Sequence, residues 1–229
     1  MPADATDALG QNFADKKENQ LRVLLAGSGS SHHFPRDFIK TDSEILSDAG
    51  FDVIGTLNGA EAVKQLPDAD VIVFSGNDNG QWGTDQFQKA LNTHADAGKG
   101  IVILHAASWK HAWDNGDYNK RFVAGFSPSH GWGDFEVEVN KPSHKIMDGV
   151  PKKFTIRDES YRHEFLKGAD ATVLATNGEG ADEHASVWTV NDPKARIVVI
   201  TLGHDEHSHA NENFQAILTN AVKWVGNSN

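Results

Sequence analysis

Several histidines of this sequence come directly after short apolar runs. His105 ends the segment GKGIVILH, His204 follows IVVITLG, and His32 and His33 follow LRVLLAGSGSS. An imidazole side chain binds divalent metals and exchanges a proton near neutral pH. If the apolar runs are neighbouring strands, these histidines meet at one edge of a sheet and could form a metal site or an acid–base site.

The segment TLGHDEHSH carries three histidines, but their spacing does not match a local metal site. His204, His207 and His209 fit neither the helical HExxH pattern nor one face of a strand. We therefore predict that His204 is the functional histidine and that His207 and His209 lie nearer solvent. A metal bound at this end of the sheet would take its ligands from distant segments.

His105 lies at a predicted strand-to-helix turn, in the segment LHAASWKHAW. Turns of this type present a side chain at the top of an α/β sheet, as nucleophile elbows do. The tip has no Ser, Cys or Thr before Ser108, only His-Ala-Ala. The position favours a functional histidine, and a buried structural histidine is the alternative.

Two further segments carry groups that could do chemistry. His130 lies in FSPSHGWGDF, and RDESYRHEF carries Asp158 and Glu159 in tandem, followed by Tyr161. Adjacent carboxylates can divide the work, with one serving as a ligand or base and the other orienting it. In a chain this acidic, a solvated turn is the alternative.

Tryptophans next to polar residues offer surfaces on which a sugar ring could stack. Trp82 lies in NDNGQWG, Trp109 and Trp113 lie in SWKHAW, and Trp132 lies in HGWGD. We predict that Trp82, Trp109 and Trp132, together with His33, bind the substrate. For Trp82, packing against the scaffold is the alternative.

The loop GSGSSH after the first apolar run could cradle a phosphate at a helix N-terminus. It has neither the glycine spacing of a dinucleotide fingerprint nor the Gly-Lys-Ser/Thr of a P-loop. No nucleotide cofactor is therefore expected.

These groups need elements that position them, and the first half of the chain alternates short apolar runs with helical patterns. Such alternation predicts βαβ units and a mostly parallel sheet with right-handed crossovers. The predicted strands are residues 21–27, 51–57, 70–76 and the apolar part of 98–108, and the predicted helices are residues 37–50 and 84–98.

The pattern changes after residue 125. Residues 134–140 alternate apolar and polar side chains, which is typical of a half-exposed antiparallel strand. Further strands are predicted at residues 171–177, 185–190 and 196–203, and a closing amphipathic helix at 211–226. We predict an α/β fold with a mostly parallel central sheet and extra antiparallel strands in the C-terminal half. Residues 1–20 are predicted to form a flexible N-terminal tail, and 21–229 a single domain.

Composition excludes several classes of function. The net charge of −11 would repel nucleic-acid phosphates, and no apolar run approaches a membrane span. The absence of cysteine removes disulfides, thiolate nucleophiles and cysteine-ligated zinc. A neutral small molecule, such as a carbohydrate, remains a suitable partner, and a homo-oligomer is possible.

The polar first twenty residues show no signal peptide. This leaves the compartment open: cytoplasmic as the sequence stands, periplasmic or secreted if a leader was removed.

The order of several short motifs resembles the ThuA-like (trehalose-utilisation) family over about residues 21–226. The motifs are LLAGSGSSHHF, KGIVILHAAS, AGFSPSHGWGDFEVEV, SHKIMDGVPKKFTIRDESYR, VITLGHD and NFQAILTNAVKWVG. Two places depart from the family: its Gly-Gly-x-Phe stands as Ala124-Gly125-Phe126 here, and its His-Pro stands as His144-Lys145.

The resemblance implies a flavodoxin-like three-layer sandwich similar to class I glutamine amidotransferases, and a link to sugar catabolism in bacteria. Amidotransferase chemistry through a Cys-His pair is excluded, because the chain has no cysteine.

Three functions are consistent with these residues. The first is an enzyme acting on a sugar or keto-sugar, with or without a divalent metal such as Zn²⁺ or Mn²⁺. The second is a non-catalytic carbohydrate-binding protein on a degenerate amidotransferase-like scaffold, with the tryptophans as stacking surfaces. The third is a structural or assembly protein, which would need a broad apolar patch.

In the enzyme hypothesis, Asp158 or Glu159 is the base and Tyr161 is a proton donor or hydrogen-bond partner. His105 and His204 bind the metal or stabilise a developing enolate. Metal ligands are predicted at His32, His130 and His204. Removal of His105 or Asp158 is expected to lower activity with little effect on stability.

Overall fold

The computed structural model describes residues 9–13, 15, 20–29, 34–111, 116–178 and 180–226. These residues form eleven β-strands and six α-helices. The strands are β1 (Arg22–Ala26), β2 (Asp52–Thr56), β3 (Val71–Phe74), β4 (Gly100–Leu104), β5 (Gly125–Phe126), β6 (His130–Val139), β7 (Lys153–Tyr161), β8 (Glu164–Phe165), β9 (Ala171–Asn177), β10 (His184–Asn191) and β11 (Arg196–Ile200). The α-helices are α1 (Asp42–Asp48), α2 (Gly59–Gln65), α3 (Asn79–Trp82), α4 (Asp85–Asp96), α5 (Glu206–His209) and α6 (Glu212–Gly226), with π-helical turns at Pro35–Thr41 and Asn119–Val123.

A nine-stranded sheet in the order β2-β1-β3-β4-β11-β10-β9-β6-β7 forms the centre of the protein. The first five strands in this order pair in parallel, and the remaining pairs are antiparallel. Strands β5 and β8 form a separate two-stranded sheet. The parallel part places the carboxyl ends of β4 and β11 side by side, which is where ligands bind in open α/β sheets.

Each face of the parallel strands is covered by its own apolar layer. Alternate residues such as Val102 and Leu104 of β4 pack with α6 on one face. Ile101 and Ile103 pack with α2 and α4 on the other face. Because both faces are buried, these strands are continuous apolar runs with no polar alternation. The layers confirm the predicted three-layer α/β sandwich.

Helix α6 shows how sequence periodicity determines packing. Its buried residues are Phe214, Ile217, Leu218, Ala221, Val222 and Val225, which recur at helical spacing. Each fully buried Phe, Ile, Leu or Val contributes about 1.5–3 kcal/mol relative to exposure. This apolar stripe fixes α6 against β4 and β11, and the helix ends at Gly226, as predicted.

Two strands include residues for which the sequence indicated no strand. The strand predicted at residues 134–140 begins earlier, at His130 of β6, and the segment with Asp158 and Glu159 is the end of β7, so the alternative of a solvated turn does not apply. The alternation of apolar and polar residues along β7 is interrupted in the sequence, because Asp158 occupies a buried position that an apolar residue would normally take. The two strands form a long hairpin, and its register positions the side chains discussed below.

The predicted flexible tail, residues 1–20, lies mostly outside the described residues. Within it, Leu9 forms a parallel bridge with Gly55 of β2, and the Gln65 side chain donates to the Gln11 carbonyl at 3.1 Å. Within the described part of the chain, no helix has the length and apolar character needed to cross a membrane.

Candidate active site

His105 comes directly after β4, in a backbone conformation that non-glycine residues rarely adopt. Its φ is 41°, in the left-handed region, and the Ser108 hydroxyl donates a 2.8 Å hydrogen bond to its carbonyl. The side chain is buried, and its Nδ1 lies 2.7 Å from the Thr201 carbonyl oxygen. Because a carbonyl can only accept, Nδ1 carries the hydrogen, and the neutral ring presents an unprotonated Nε2.

The antiparallel register of β6 and β7 places four side chains of the site on one face. His130 pairs with Tyr161, and Trp132 pairs with Glu159. Since successive side chains of a strand point to opposite faces, these four share a face and Asp158 lies on the other. The tandem carboxylates therefore have different surroundings, although they are neighbours in sequence.

Asp158 is fully buried, and its carboxylate holds a turn of backbone. Its Oδ2 accepts from the Gly203 N–H at 2.8 Å, and its Oδ1 accepts from the N–H groups of His204 at 3.0 Å and Glu159 at 2.8 Å. Burial raises the pKa of Asp158, while the positive charge of a protonated His105 and these backbone donors oppose the rise. Because both oxygens are occupied by backbone, the structure gives Asp158 a positioning role and leaves Glu159 as the carboxylate facing the site.

Glu159 is the point on which the histidines converge. Its Oε2 lies 2.9 Å from His204 Nδ1 and 3.3 Å from His105 Nε2, and its Oε1 lies 3.4 Å from His130 Nδ1. Burial opposes ionisation of Glu159, but the hydrogen bonds and charges of His105 and His204 hold its pKa well below the usual range. Glu159 is therefore a carboxylate at neutral pH and a weak base.

The ligand-capable atoms of His105, Glu159 and His204 all lie within 4.8 Å of one another. Ligand atoms bound to one metal at about 2.0–2.1 Å lie roughly 2.9–3.4 Å apart. The Glu159 distances above, and the 3.2 Å between His105 Nε2 and His204 Nδ1, fall in this range. In the neutral form of His105, Nε2 offers a lone pair, as the Glu159 carboxylate does, and the Tyr161 hydroxyl and His204 Nδ1 are donors within 3.2 and 2.9 Å of these two acceptors. Two imidazoles and one carboxylate suit Zn²⁺, Mn²⁺ or Fe²⁺.

Aromatic side chains border this group. The Tyr161 hydroxyl lies 3.2 Å from His105 Nε2, and burial, followed by the charges of Glu159 and Asp158, raises its pKa well above the usual value. The Trp109 ring centroid is 5.2 Å from that of Tyr161. Trp132 is 50% exposed, with its ring 5.0 Å from the His204 ring. Tyr161 is thus a neutral hydroxyl donor beside an open aromatic surface.

The structure brings together most of the side chains predicted from sequence, but not all. His105, Glu159, Tyr161 and His204 meet around one point, with His130, Trp109 and Trp132 at its border. The predicted residues His32 and His33, and Trp113, lie outside the described residues.

The prediction of a sugar-stacking surface at Trp82 does not hold. The Trp82 ring is fully buried and packs against Phe74 and Phe87 at centroid distances of 5.3 and 5.0 Å. Its Nε1 donates to the Ser28 side chain at 3.0 Å. An indole with no exposed face is part of the core, and the alternative of scaffold packing applies here.

Residues that the sequence did not single out complete the site. The Thr201 carbonyl sets the hydrogen position on His105, and Gly203 adopts φ +115°, a conformation favourable only to glycine. A Cβ at Gly203 would also lie 3.2 Å from the Phe214 ring. The only sequence signal was the glycine between β11 and His204. The expectation that His209 lies near solvent was wrong, since it is 2% exposed, whereas His207 is exposed.

His163, two residues beyond Tyr161, makes the fold sensitive to acid. It is buried against Trp188, with ring centroids 4.1 Å apart. Burial, helped by the charge of His184, lowers its pKa to about 3. The unfolded state, with a histidine pKa of about 6.5, therefore takes up the proton first. The stability that the neutral ring contributes is fully present above the pKa of the unfolded state. It is lost as the pH falls towards the pKa of the folded state.

We expect His163→Phe to flatten the pH dependence of stability, because it keeps the ring contact and removes the titrating group. Between pH 6.5 and 4.5 the free energy of unfolding of the wild type should fall by about 2–3 kcal/mol more than that of the variant. Urea unfolding at several pH values measures this difference, with His207→Gln as a surface control. Parallel curves for wild type and His163→Phe would show that His163 is not the acid-sensitive group.

The protein is an α/β sandwich with a polar site at the carboxyl ends of its parallel strands. Its similarity to known proteins identifies the family. The chain matches the ThuA (trehalose utilisation) family over residues 22–225, and it belongs to that family. Membership connects the protein with carbohydrate use. No curated protein matches the chain in sequence.

Solved structures share the fold at low sequence identity. A protein described as ThuA-like from Parabacteroides merdae superposes with a TM-score of 0.79 at 19% identity, covering 91% of both chains. One from Bacteroides uniformis gives 0.76 at 17% identity, covering 93% of this chain and 95% of that one. A protein described as a GMP synthase component from Thermoplasma acidophilum gives 0.62 at 14% identity, covering 90% and 94%. These likenesses confirm the predicted amidotransferase-like fold.

Proposed function

We propose that the protein is a divalent-metal-dependent enzyme that abstracts a proton next to the carbonyl group of a keto-sugar. The observation that carries this proposal is the convergence of His105, Glu159 and His204 on one point. Trp109 and Trp132 border that point, and aromatic surfaces suit a carbohydrate ring. Membership of the trehalose utilisation family supports a carbohydrate substrate.

The donor set fits a metal such as Zn²⁺ or Mn²⁺. His105 would bind through Nε2, because the Thr201 carbonyl accepts the Nδ1 hydrogen and so selects the tautomer of the neutral ring that has its lone pair on Nε2, and Glu159 would bind through Oε2. His204 would bind through Nδ1, with its ring hydrogen then on Nε2. When bound, a metal ion at this point supplies Lewis-acid polarisation of the substrate carbonyl oxygen.

Two residues of the chain remain for proton transfer. His130 is 38% exposed and takes the proton from the carbon next to the carbonyl group. The electron pair of that C–H bond moves into the carbonyl group and places negative charge on its oxygen. Tyr161, held neutral by burial and by the nearby carboxylates, donates a hydrogen bond to this oxygen. Return of the proton from His130 to the former carbonyl carbon, with transfer of the hydroxyl hydrogen of the neighbouring carbon to the former carbonyl oxygen, moves the carbonyl group by one carbon without an oxidant or reductant.

Solvent exchange tests this function directly. The metal-free protein is reloaded with Zn²⁺ or Mn²⁺ and incubated in D₂O with a keto-glucoside, and the product is followed by proton NMR. Loss of the signal of the hydrogen next to the carbonyl group, dependent on metal, is the expected result. The unoxidised glucoside is the control, because its C–H bonds are not acidic.

A carbohydrate-binding function is the second candidate, and one observation favours it. Trp132 is half exposed with its ring 5.0 Å from that of His204, and the turn after β4 carries His105 in place of a nucleophile. In the same experiment this function predicts line broadening of the sugar signals without deuterium exchange. Binding without exchange at every metal tested would replace the enzyme proposal by this one.

Trp132→Ala is expected to raise KM for the keto-sugar about tenfold with little change in kcat, because stacking holds substrate and transition state alike. Steady-state kinetics measure both constants. Phe165→Ala is the matched control, since Phe165 is also a large exposed side chain, at 40%, and it packs against Trp188. A fall in kcat at unchanged KM in Trp132→Ala would contradict a stacking role.

A further inference from the structure

A buried pair, Asp42 and His209, lies behind the turn that carries His204. Asp42 is 0% exposed and His209 is 2% exposed, and Asp42 Oδ1 lies 2.6 Å from His209 Nδ1. Among the described residues, the other oxygen of Asp42 has no hydrogen-bond partner. The pair joins the first residue of α1 to the last residue of α5. Removing an acid and a base from water costs free energy that their pairing does not always recover, so a role beyond filling the core is worth seeking for this pair.

The second ring nitrogen of His209 contacts the backbone of the site. Its Nε2 lies 3.0 Å from the Gly203 carbonyl oxygen. Since a carbonyl can only accept, Nε2 carries a hydrogen whether the pair with Asp42 is ionic or neutral. Asp42 fixes the orientation of the ring through Nδ1, in the way that second partners orient functional histidines.

The turn at Gly203 is therefore held from two sides. His209 donates to the Gly203 carbonyl, and Asp158 accepts from the N–H groups of Gly203 and His204. The turn has no Cβ at Gly203 to restrict it, so these hydrogen bonds determine where the His204 side chain begins. His204 Nδ1 then lies 2.9 Å from Glu159 Oε2.

We propose that His209, oriented by Asp42, is a positioning residue that sets the place of His204 in the site. It touches neither Glu159 nor His105 and acts only through the backbone of residue 203. The expected effect of His209 on metal binding rests on the proposed function. The effect of His209 on the position of the His204 ring does not depend on that function.

Two substitutions at one position separate positioning from packing. The amide of glutamine can reach the place of Nε2 and donate to Gly203, whereas the shorter asparagine can reach only the place of Nδ1 and contact Asp42. If His209 positions the turn, His209→Gln should retain the site and His209→Asn should lose it. If His209 only links α5 to α1, the opposite order follows.

The test uses the full chain with two readouts. Titration with Co²⁺, followed by its visible absorption, should give a 10–100-fold weaker affinity for His209→Asn and at most about a threefold change for His209→Gln. In metal-free protein labelled with ¹⁵N-histidine, the ring nitrogen signals of His204 should shift in His209→Asn. The signals of His144, which packs on Trp224, should not shift.

The readouts also distinguish failure of the two proposals. If wild type binds no Co²⁺, the metal function fails, and the His204 signals alone decide the positioning role. Unchanged His204 signals in a folded His209→Asn variant would overturn the inference, as would equal losses in both variants. If His209→Asn does not fold, Asp42→Ala replaces it, because it removes the carboxylate that orients the His209 ring towards Gly203. Unchanged His204 signals in Asp42→Ala would then overturn the inference.

Discussion

Glu159→Gln is expected to weaken Zn²⁺ binding by about 10²–10³-fold, because it removes one charged ligand of a small set. Structural zinc sites bind with about 10–16 kcal/mol from four ligands, so each contributes roughly 3 kcal/mol, and 1.4 kcal/mol corresponds to a factor of ten. The change is nearly isosteric, which leaves the β6–β7 hairpin in place. Competition with a chelator of known affinity measures the constant for metal-free protein.

Glu164→Gln is the matched control for this substitution. Glu164 lies in β8, five residues further along the chain, and it is exposed. The control should bind Zn²⁺ as wild type does, while His105→Ala should resemble Glu159→Gln. Wild-type affinity in Glu159→Gln would show that the three side chains do not form the metal site, and the proposed function would lose its main support.

Asp158→Asn is expected to destabilise the fold by about 2–4 kcal/mol. The substitution removes the charge that strengthens the hydrogen bonds of this side chain, and it places an N–H₂ group opposite a backbone N–H donor. The Asp158 carboxylate accepts from three backbone N–H groups inside the protein. An amide cannot accept at both positions, so the Gly203 turn loses a partner. The midpoint of urea unfolding measures the loss, at unchanged slope.

Asp134→Asn is the control for Asp158→Asn. Asp134 lies on the neighbouring strand of the same hairpin with its side chain 65% exposed, and its loss should change stability by less than about 0.5 kcal/mol. The expectation from sequence was the reverse for Asp158: loss of activity with little loss of stability. An unfolding midpoint equal to that of wild type would restore that expectation and the role of Asp158 as a base.

Local sequence patterns determined most of the fold. The apolar runs that became β1, β3, β4 and β11 are buried on both faces, so their composition alone identifies them as central strands. Helix α6 was predicted from its stripe because helical periodicity survives in any packed helix. Strand β7 was missed because Asp158 interrupts its apolar alternation, and a carboxylate at a buried position signals a turn when only the sequence is read.

The candidate site was predicted in its residue types more than in its arrangement. His105 and His204 were found because each follows an apolar run, and parallel strands deliver their ends to one edge. Glu159 and Asp158 could not be told apart from sequence. Their difference depends on which face of β7 each occupies, and therefore on the register with β6. Trp82 was misplaced for a related reason, since an indole beside polar residues is compatible with either the surface or the core.

The sequence by itself therefore determined the parallel strands, the closing helix, the ThuA family and the strand ends at which histidines would gather. The tertiary structure alone decided which groups meet. His105 and His204 are 99 residues apart, and Asp42 and His209 are 167 apart. Local propensity and periodicity act over a few residues, whereas such contacts depend on how whole elements pack. A histidine on an exposed loop and one buried against a carboxylate have the same sequence signature until the chain has folded.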